Sequence, residues 1–204
     1  MTATADSAQE DLRYVRRLAE SGAHAPLLGG RFMAWWGLLL TAAYVAHHLA
    51  LAGTIGDGGM IFLLIWSAFG LLGLCGQLLL ARSMPAKAGS GSAGNRASRV
   101  AWCTAGVAIA AMVGGATAAA TRGAGPRAFD WIVPVAFAVY ACALVVTGSL
   151  ARSRITMAAG AGAIATVGLF TAFILSPDRY LLAAAAVALT VLLPGLLLLR
   201  AEPR

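Results

Sequence analysis

Charge is what this sequence has least of. Asp, Glu, Lys and Arg make up 11% of its 204 residues, where an average soluble domain carries about 25%. So little charge cannot cover a water-facing surface, and the natural solvent for most of the chain is a bilayer. Lysine is almost missing, Lys87 being the only one. Cysteine is scarce as well. Cys75, Cys103 and Cys142 each stand inside an apolar stretch, their number is odd and no CxxC occurs, which argues against a zinc site and against a disulfide framework. They read as small apolar packers. Enzyme signatures are absent too: there is no HExxH, no GxSxG, and no Ser–Lys or paired-carboxylate arrangement in the apolar stretches. Intramembrane proteolysis and metal-assisted hydrolysis are thereby disfavoured. The expectation is a non-enzymatic protein with no cofactor and no catalytic or metal-binding residues.

What is abundant is apolar residues, 60% of the chain, with a mean hydropathy of +0.80. Six windows hold no charged residue: 32–51, 60–81, 100–121, 131–151, 155–175 and 180–199. A helix rises about 1.5 Å per residue, so roughly 20 residues cross a 30 Å hydrocarbon core. Each window fits one crossing. Barrel strands would alternate apolar and polar residues over about 10 positions, and these runs are apolar all round. The predicted fold is all-α, a polytopic transmembrane bundle of six helices over 31–200, preceded by a cytoplasmic amphipathic helix and linker in 1–30 and interrupted by a flexible cytoplasmic loop at 82–99.

The fifteen basic residues set the orientation. Arg13, Arg16, Arg17 and Arg31, then Arg82, Lys87, Arg96 and Arg99, then Arg152 and Arg154, then Arg200 and Arg204 fall on one side. Arg122, Arg127 and Arg179 fall on the other. Loops rich in Lys and Arg stay in the cytoplasm, which places both termini and the longest loop inside. Trp35, Trp36 and Trp102 near the inner ends, with Trp131 and Tyr180 near the outer ends, have the composition of interfacial belts. An Arg-dominated, Ala/Gly-rich composition suits a bacterial inner membrane. The first 25 residues are polar and lack the apolar core of a signal peptide.

Segment 7–21 reads as the amphipathic helix. Ser7 and Glu10 have capping-box spacing, Gly22 suits the stop, and Leu12, Val15, Leu18 and Ala19 share a face. Arg13, Arg16 and Arg17 decorate the rest, either against anionic lipid at about 1 kcal/mol each or against a soluble partner or neighbouring protomer. Segment 84–98 is Gly/Ser/Ala-rich and reads as a mobile linker. Its glycines open no phosphate-binding pattern. The basic balance falls in short clusters between spans, so no direct nucleic-acid contact is expected.

Charge inside a bilayer costs at least about 2.5–3.5 kcal/mol on insertion scales and marks function where it occurs. No span contains any. The candidates are therefore His47 and His48, about 24 Å along the first span from Arg31 and close to the outer interface. Neighbouring helical residues point about 100° apart, so the pair cannot easily hold one metal or face one haem. They are either interfacial histidines bonded to lipid, water or a loop, or a ligand or proton-relay pair. Each outer turn also carries one acid, Asp57, Asp130 or Asp178, just before the returning helix. Asp caps helix starts; the alternative is an outward site for a cation or substrate. Gln77, near an inner end, suits a packing hydrogen bond. Gly106, Ala110, Gly114 and Ala118, with Gly115, and Gly160, Gly162 and Gly168 form small-residue seams, which bring helices close within the bundle or between protomers of a homo-oligomer. Pro194–Gly195 interrupts the last span.

Residues 11–37, DLRYVRRLAESGAHAPLLGGRFMAWWG, resemble the opening of an uncharacterised family of bacterial six-helix inner-membrane proteins, in which an amphipathic helix leads through Ala-Pro-Leu-Leu-Gly-Gly-Arg into the first span. The resemblance implies company with a small winged-helix transcription regulator and hence a sensing or sequestering role. It brings no catalytic residues. Three functions are carried forward: a protein that recruits or regulates a cytoplasmic partner through 7–21, a small permease or exporter of an apolar or weakly polar solute, and a membrane enzyme or redox protein using His47 or His48.

Overall fold

In a computed structural model of the chain, residues 28–56, 58–83, 89–150 and 152–201 are described. Among them are six helices long and apolar enough to cross a membrane and no strand, and the chain is an integral membrane protein with an all-α bundle. The helices are α1 (Gly30–Leu51), α2 (Gly59–Arg82), α3 (Ala93–Ala119), α4 (Ile132–Leu150), α5 (Arg154–Ala172), α6 (Arg179–Val187) and α7 (Leu193–Ala201). The last two belong to one span, Arg179–Arg200, joined through a π turn at Ala188–Leu192. A second π turn, Ala120–Ala124, and a 3-10 helix, Pro126–Trp131, connect α3 to α4. We call the end of the bundle where α1 begins proximal and the end where α1 finishes distal.

Packing runs in the order α2, α1, sixth span, α5, α4, α3, with no substantial contact between α2 and α3 among the described residues. The core sits in the middle of that series. Tyr44 of α1, Phe137 and Leu144 of α4, Phe170 of α5 and Val187 of the sixth span are buried together. The flanking α2 and α3 bury little: Gly73 alone in α2, and Ser98, Ala105 and Ala116 in α3. Their outward leucines and valines, such as Leu63, Leu71, Leu79 and Val107, are exposed and face the hydrocarbon that would surround the bundle.

Close packing depends on glycines at three crossings. A Cβ on Gly37 would come within 2.7 Å of the Leu192 backbone, and one on Gly195 within 2.5 Å of the Ala34 nitrogen. Gly30 meets the Leu198–Leu199 backbone in the same way. These residues let α1 lie directly against the sixth span. Gly160 does the same for α5 against Val145 of α4, and Gly162 touches Thr190, so the α5 seam works inside the bundle. The α3 seam does not. A methyl group added at Gly106, Gly114 or Gly115 would meet nothing within 4 Å, because α3 turns its Ala105 and Ala116 edge, not this one, toward α4. Gly168 is open as well.

Two expectations are corrected here. The linker reading of 84–98 fails from Ala93 onward, where α3 already begins. Ser92 is its N-cap, its hydroxyl accepting from the Asn95 N–H at 3.2 Å, a start signal hidden in a Gly/Ser-rich composition. Asn95 in turn accepts from the Leu28 N–H at 3.1 Å, and Arg31 donates to the Ser83 hydroxyl at 2.9 Å. The approach to α1 is thus tied to α2 and α3 at the proximal end. Capping also fails for Asp178, which occupies the N-cap position of α6 without a side-chain cap bond. The Gln77 expectation is met: Gln77 accepts from the Trp36 indole at 2.9 Å, and Trp36 lies over Gly73. The segment 7–21, with Arg13, Arg16 and Arg17, lies outside the described residues, as does Asp57.

Candidate functional site at the distal end

Polar side chains that sequence spacing left scattered converge where α1, α2, the 3-10 helix and the sixth span meet. The 3-10 turn directs Asp130 into the bundle. One carboxylate oxygen accepts from Arg179 Nη2 at 3.2 Å and from the Tyr180 hydroxyl at 2.9 Å. Asp130 and Arg179 are only 18% and 19% exposed, so salt screens the pair less than it would an exposed one. Arg179 also donates to the Ser176 carbonyl at 3.1 Å, and its guanidinium lies 5.0 Å from the Tyr180 ring centre. Asp130 therefore does not cap α4. Its charge fastens the α3–α4 connection to the start of the sixth span.

The histidines join this arrangement from α1, and they diverge as adjacent helical residues must. His47 turns inward. Its ring lies 3.9 Å from that of Tyr180 and 4.7 Å from that of Phe62, and its Nδ1 accepts from the Trp66 indole N–H at 3.0 Å. An indole nitrogen can only donate, so the neutral imidazole carries its own proton on Nε2. His48 turns toward the α5–α6 connection, its Nε2 3.9 Å from the Asp178 carboxylate. His48 Nδ1 is buried and has no hydrogen-bond partner among the described residues. Tyr44 closes the cluster beneath, 5.5 Å from the Trp66 ring and 6.1 Å from that of Tyr180.

The cluster thus brings together three of the four sequence candidates, His47, His48 and Asp130. It binds α1 to α2 through Trp66, α1 to the sixth span through Tyr180, and the sixth span to the α3–α4 connection through Arg179. No group of three His, Cys, Asp or Glu residues with metal-ligand geometry occurs among the described residues. The cluster's chemistry is that of a polar clasp: one fixed ion pair, one hydroxyl and the His47 imidazole among aromatic rings, with His48 beside it turned toward Asp178. The residues that sequence reasoning missed are Trp66, Arg179 and Tyr180. The signal was present in part. Asp130 and Arg179 are opposite charges beginning successive returning spans at the same membrane face, and such charges pair when their helices are neighbours.

A shallow hollow lies apart from this cluster, between the distal half of α3 and the connection that folds back over it, with a volume of about 430 Å³. Comparison of the chain with protein-family profiles, with curated proteins and with solved structures gives no match.

Proposed function

We infer that this integral membrane protein is non-enzymatic and recruits or regulates a cytoplasmic partner through its N-terminal segment, with the distal clasp setting the position of α1. The observation that carries this reading is the double anchorage of α1. At its distal end, His47 and His48 engage α2, the sixth span and the α5–α6 turn. At its proximal end, Leu28 and Arg31 are held by Asn95 and Ser83, immediately after the amphipathic stretch that carries Arg13, Arg16 and Arg17. One helix of 22 residues therefore runs from the polar site at its distal end to the end that follows the amphipathic segment. Gly30 and Gly37 seat α1 in direct backbone contact with the sixth span. The distribution of basic residues supports a proximal face in the cytoplasm of a bacterial inner membrane. The likeness of residues 11–37 to proteins that accompany a winged-helix regulator agrees with a sequestering role.

The test is crosslinking in native membranes followed by mass spectrometry. A stoichiometric cytoplasmic protein captured by the intact chain should vanish when residues 1–22 are deleted. Partners unchanged by that deletion would refute the reading.

One observation favours transport instead: the sixth span carries a π turn just before Pro194, and such turns inside helices are frequent at functional sites. Vesicles containing only this protein should then show substrate-dependent flux of an apolar or weakly polar solute. No flux across a broad solute panel counts against it.

A further inference from the structure

The hollow on α3 is built differently from the outer faces around it, which are dominated by exposed leucine and valine. Here Met112, Gly115 and Ala119 form an apolar floor, and Arg127, Ala128 and Trp131 overhang it from the connection. The overhang exists because the chain reverses sharply at Gly123 and Gly125, both at positive φ (104° and 66°), a conformation that glycine adopts without penalty. A Cβ on Gly115 would meet nothing within 4 Å, so the floor is open from the side on which hydrocarbon surrounds the helix.

Charge at this mouth is unbalanced. The connection carries Arg122, Arg127 and one acid, Asp130. Asp130 points the other way, committed to Arg179 and Tyr180. Arg127 is exposed and has no hydrogen bond or ion pair with any described residue. A guanidinium poised above an apolar trough at a membrane interface, beside a half-exposed Trp131, matches a molecule with an anionic head and a hydrocarbon tail. A free anion would find no use for the trough, and an uncharged solute none for Arg127.

We propose that this hollow is a binding site for an anionic phospholipid, one acyl chain lying on Gly115 and Ala119 and the phosphate held by Arg127. Guanidinium suits phosphate because its fork donates two parallel hydrogen bonds. The site is separate from the clasp, since its lining shares no residue with it, but both hang on the same 3-10 turn: Asp130 faces inward and Arg127 outward. Lipid bound at Arg127 would steady the turn that presents Asp130.

The experiment uses purified, delipidated full-length protein. It is titrated with phosphatidylglycerol or with phosphatidylcholine of identical chains, and bound lipid is counted by native mass spectrometry. The intact protein should prefer the anionic lipid, and Arg127→Gln should weaken that binding roughly fivefold, as loss of one basic residue near an anionic headgroup does. Arg127→Lys should keep part of the preference. Arg122→Gln should leave it unchanged, because Arg122 does not line the hollow. Gly115→Leu, which puts a side chain into the trough from a position where a Cβ meets nothing within 4 Å, should weaken both lipids. Equal binding of the two lipids, or an Arg122→Gln effect as large as that of Arg127→Gln, would overturn the proposal. So would a dimer that Gly115→Leu abolishes while lipid binding persists, since the occupant would then be a second copy of the chain.

Discussion

Asp130 is the residue on which the distal clasp turns, since a single carboxylate oxygen serves both Arg179 and Tyr180. Replacing it with Asn keeps an acceptor for the hydroxyl but leaves a shielded guanidinium without its counter-charge. Leaving a buried polar group unsatisfied costs about 1–3 kcal/mol, and Asp130→Asn should lower the thermal midpoint of the protein in mild detergent accordingly. Arg179→Gln should do the same, and the double variant should cost less than the two single changes added together, because they remove one shared interaction. Strict additivity would show that the pair is not coupled. The histidine on the other side of Tyr180 acts more gently. His47→Phe keeps the ring stack and strands the Trp66 N–H, and interhelical hydrogen bonds in membranes average about 0.6 kcal/mol. That variant should fold with only a small loss of stability, measured in the same melt.

Helix contacts decide which small residues matter, and this is where sequence and structure part most clearly. The spans themselves were legible, because a run of about 20 residues without charge has no other stable home than a membrane helix. Which face of each span is buried was not. The four-residue repeat of Gly106, Ala110 and Gly114 is the most regular small-residue pattern in the chain, yet its glycines face outward. The crossing of α1 against the sixth span needs glycine at Gly30, Gly37 and Gly195, which form no regular repeat. When all faces are apolar, hydropathy carries no directional signal, so a seam can be seen without its partner being known. Gly37→Val should therefore destabilise the protein strongly, since its Cβ has no room against the Leu192 backbone. Gly106→Val should leave the melt of the monomer nearly unchanged. The reverse order would contradict the packing described. The π turns were equally hidden. Pro194 announced an interruption, and the wider turn at Ala188–Leu192 includes Thr190, the residue four back whose carbonyl a proline ring crowds in a regular helix. Of the distal site, His47, His48 and Asp130 were visible as rare polar groups near a membrane face. Their meeting depended on the order α2, α1, sixth span, which local sequence does not encode.

Across the whole molecule, a series of apolar helices is tied at each end by a few polar bonds. Distally the ties are Asp130–Arg179, Asp130–Tyr180 and Trp66–His47; proximally they are Leu28–Asn95 and Arg31–Ser83. α1 and α2 both take part in the two sets, through Arg31 and His47 of α1 and through Ser83 and Trp66 of α2, and the amphipathic stretch 7–21 precedes α1 in the sequence. If α1 transmits the state of the clasp, weakening the clasp must alter what the N-terminal segment binds, although Asp130 lies at the distal end of the bundle and α1 begins at the proximal one. The decisive measurement compares partners crosslinked in native membranes by the intact chain, by a chain lacking residues 1–22, and by Asp130→Asn at equal expression. The account predicts a cytoplasmic protein captured by the first, lost from the second, and captured in clearly altered yield by the third. A partner profile identical in all three would contradict it.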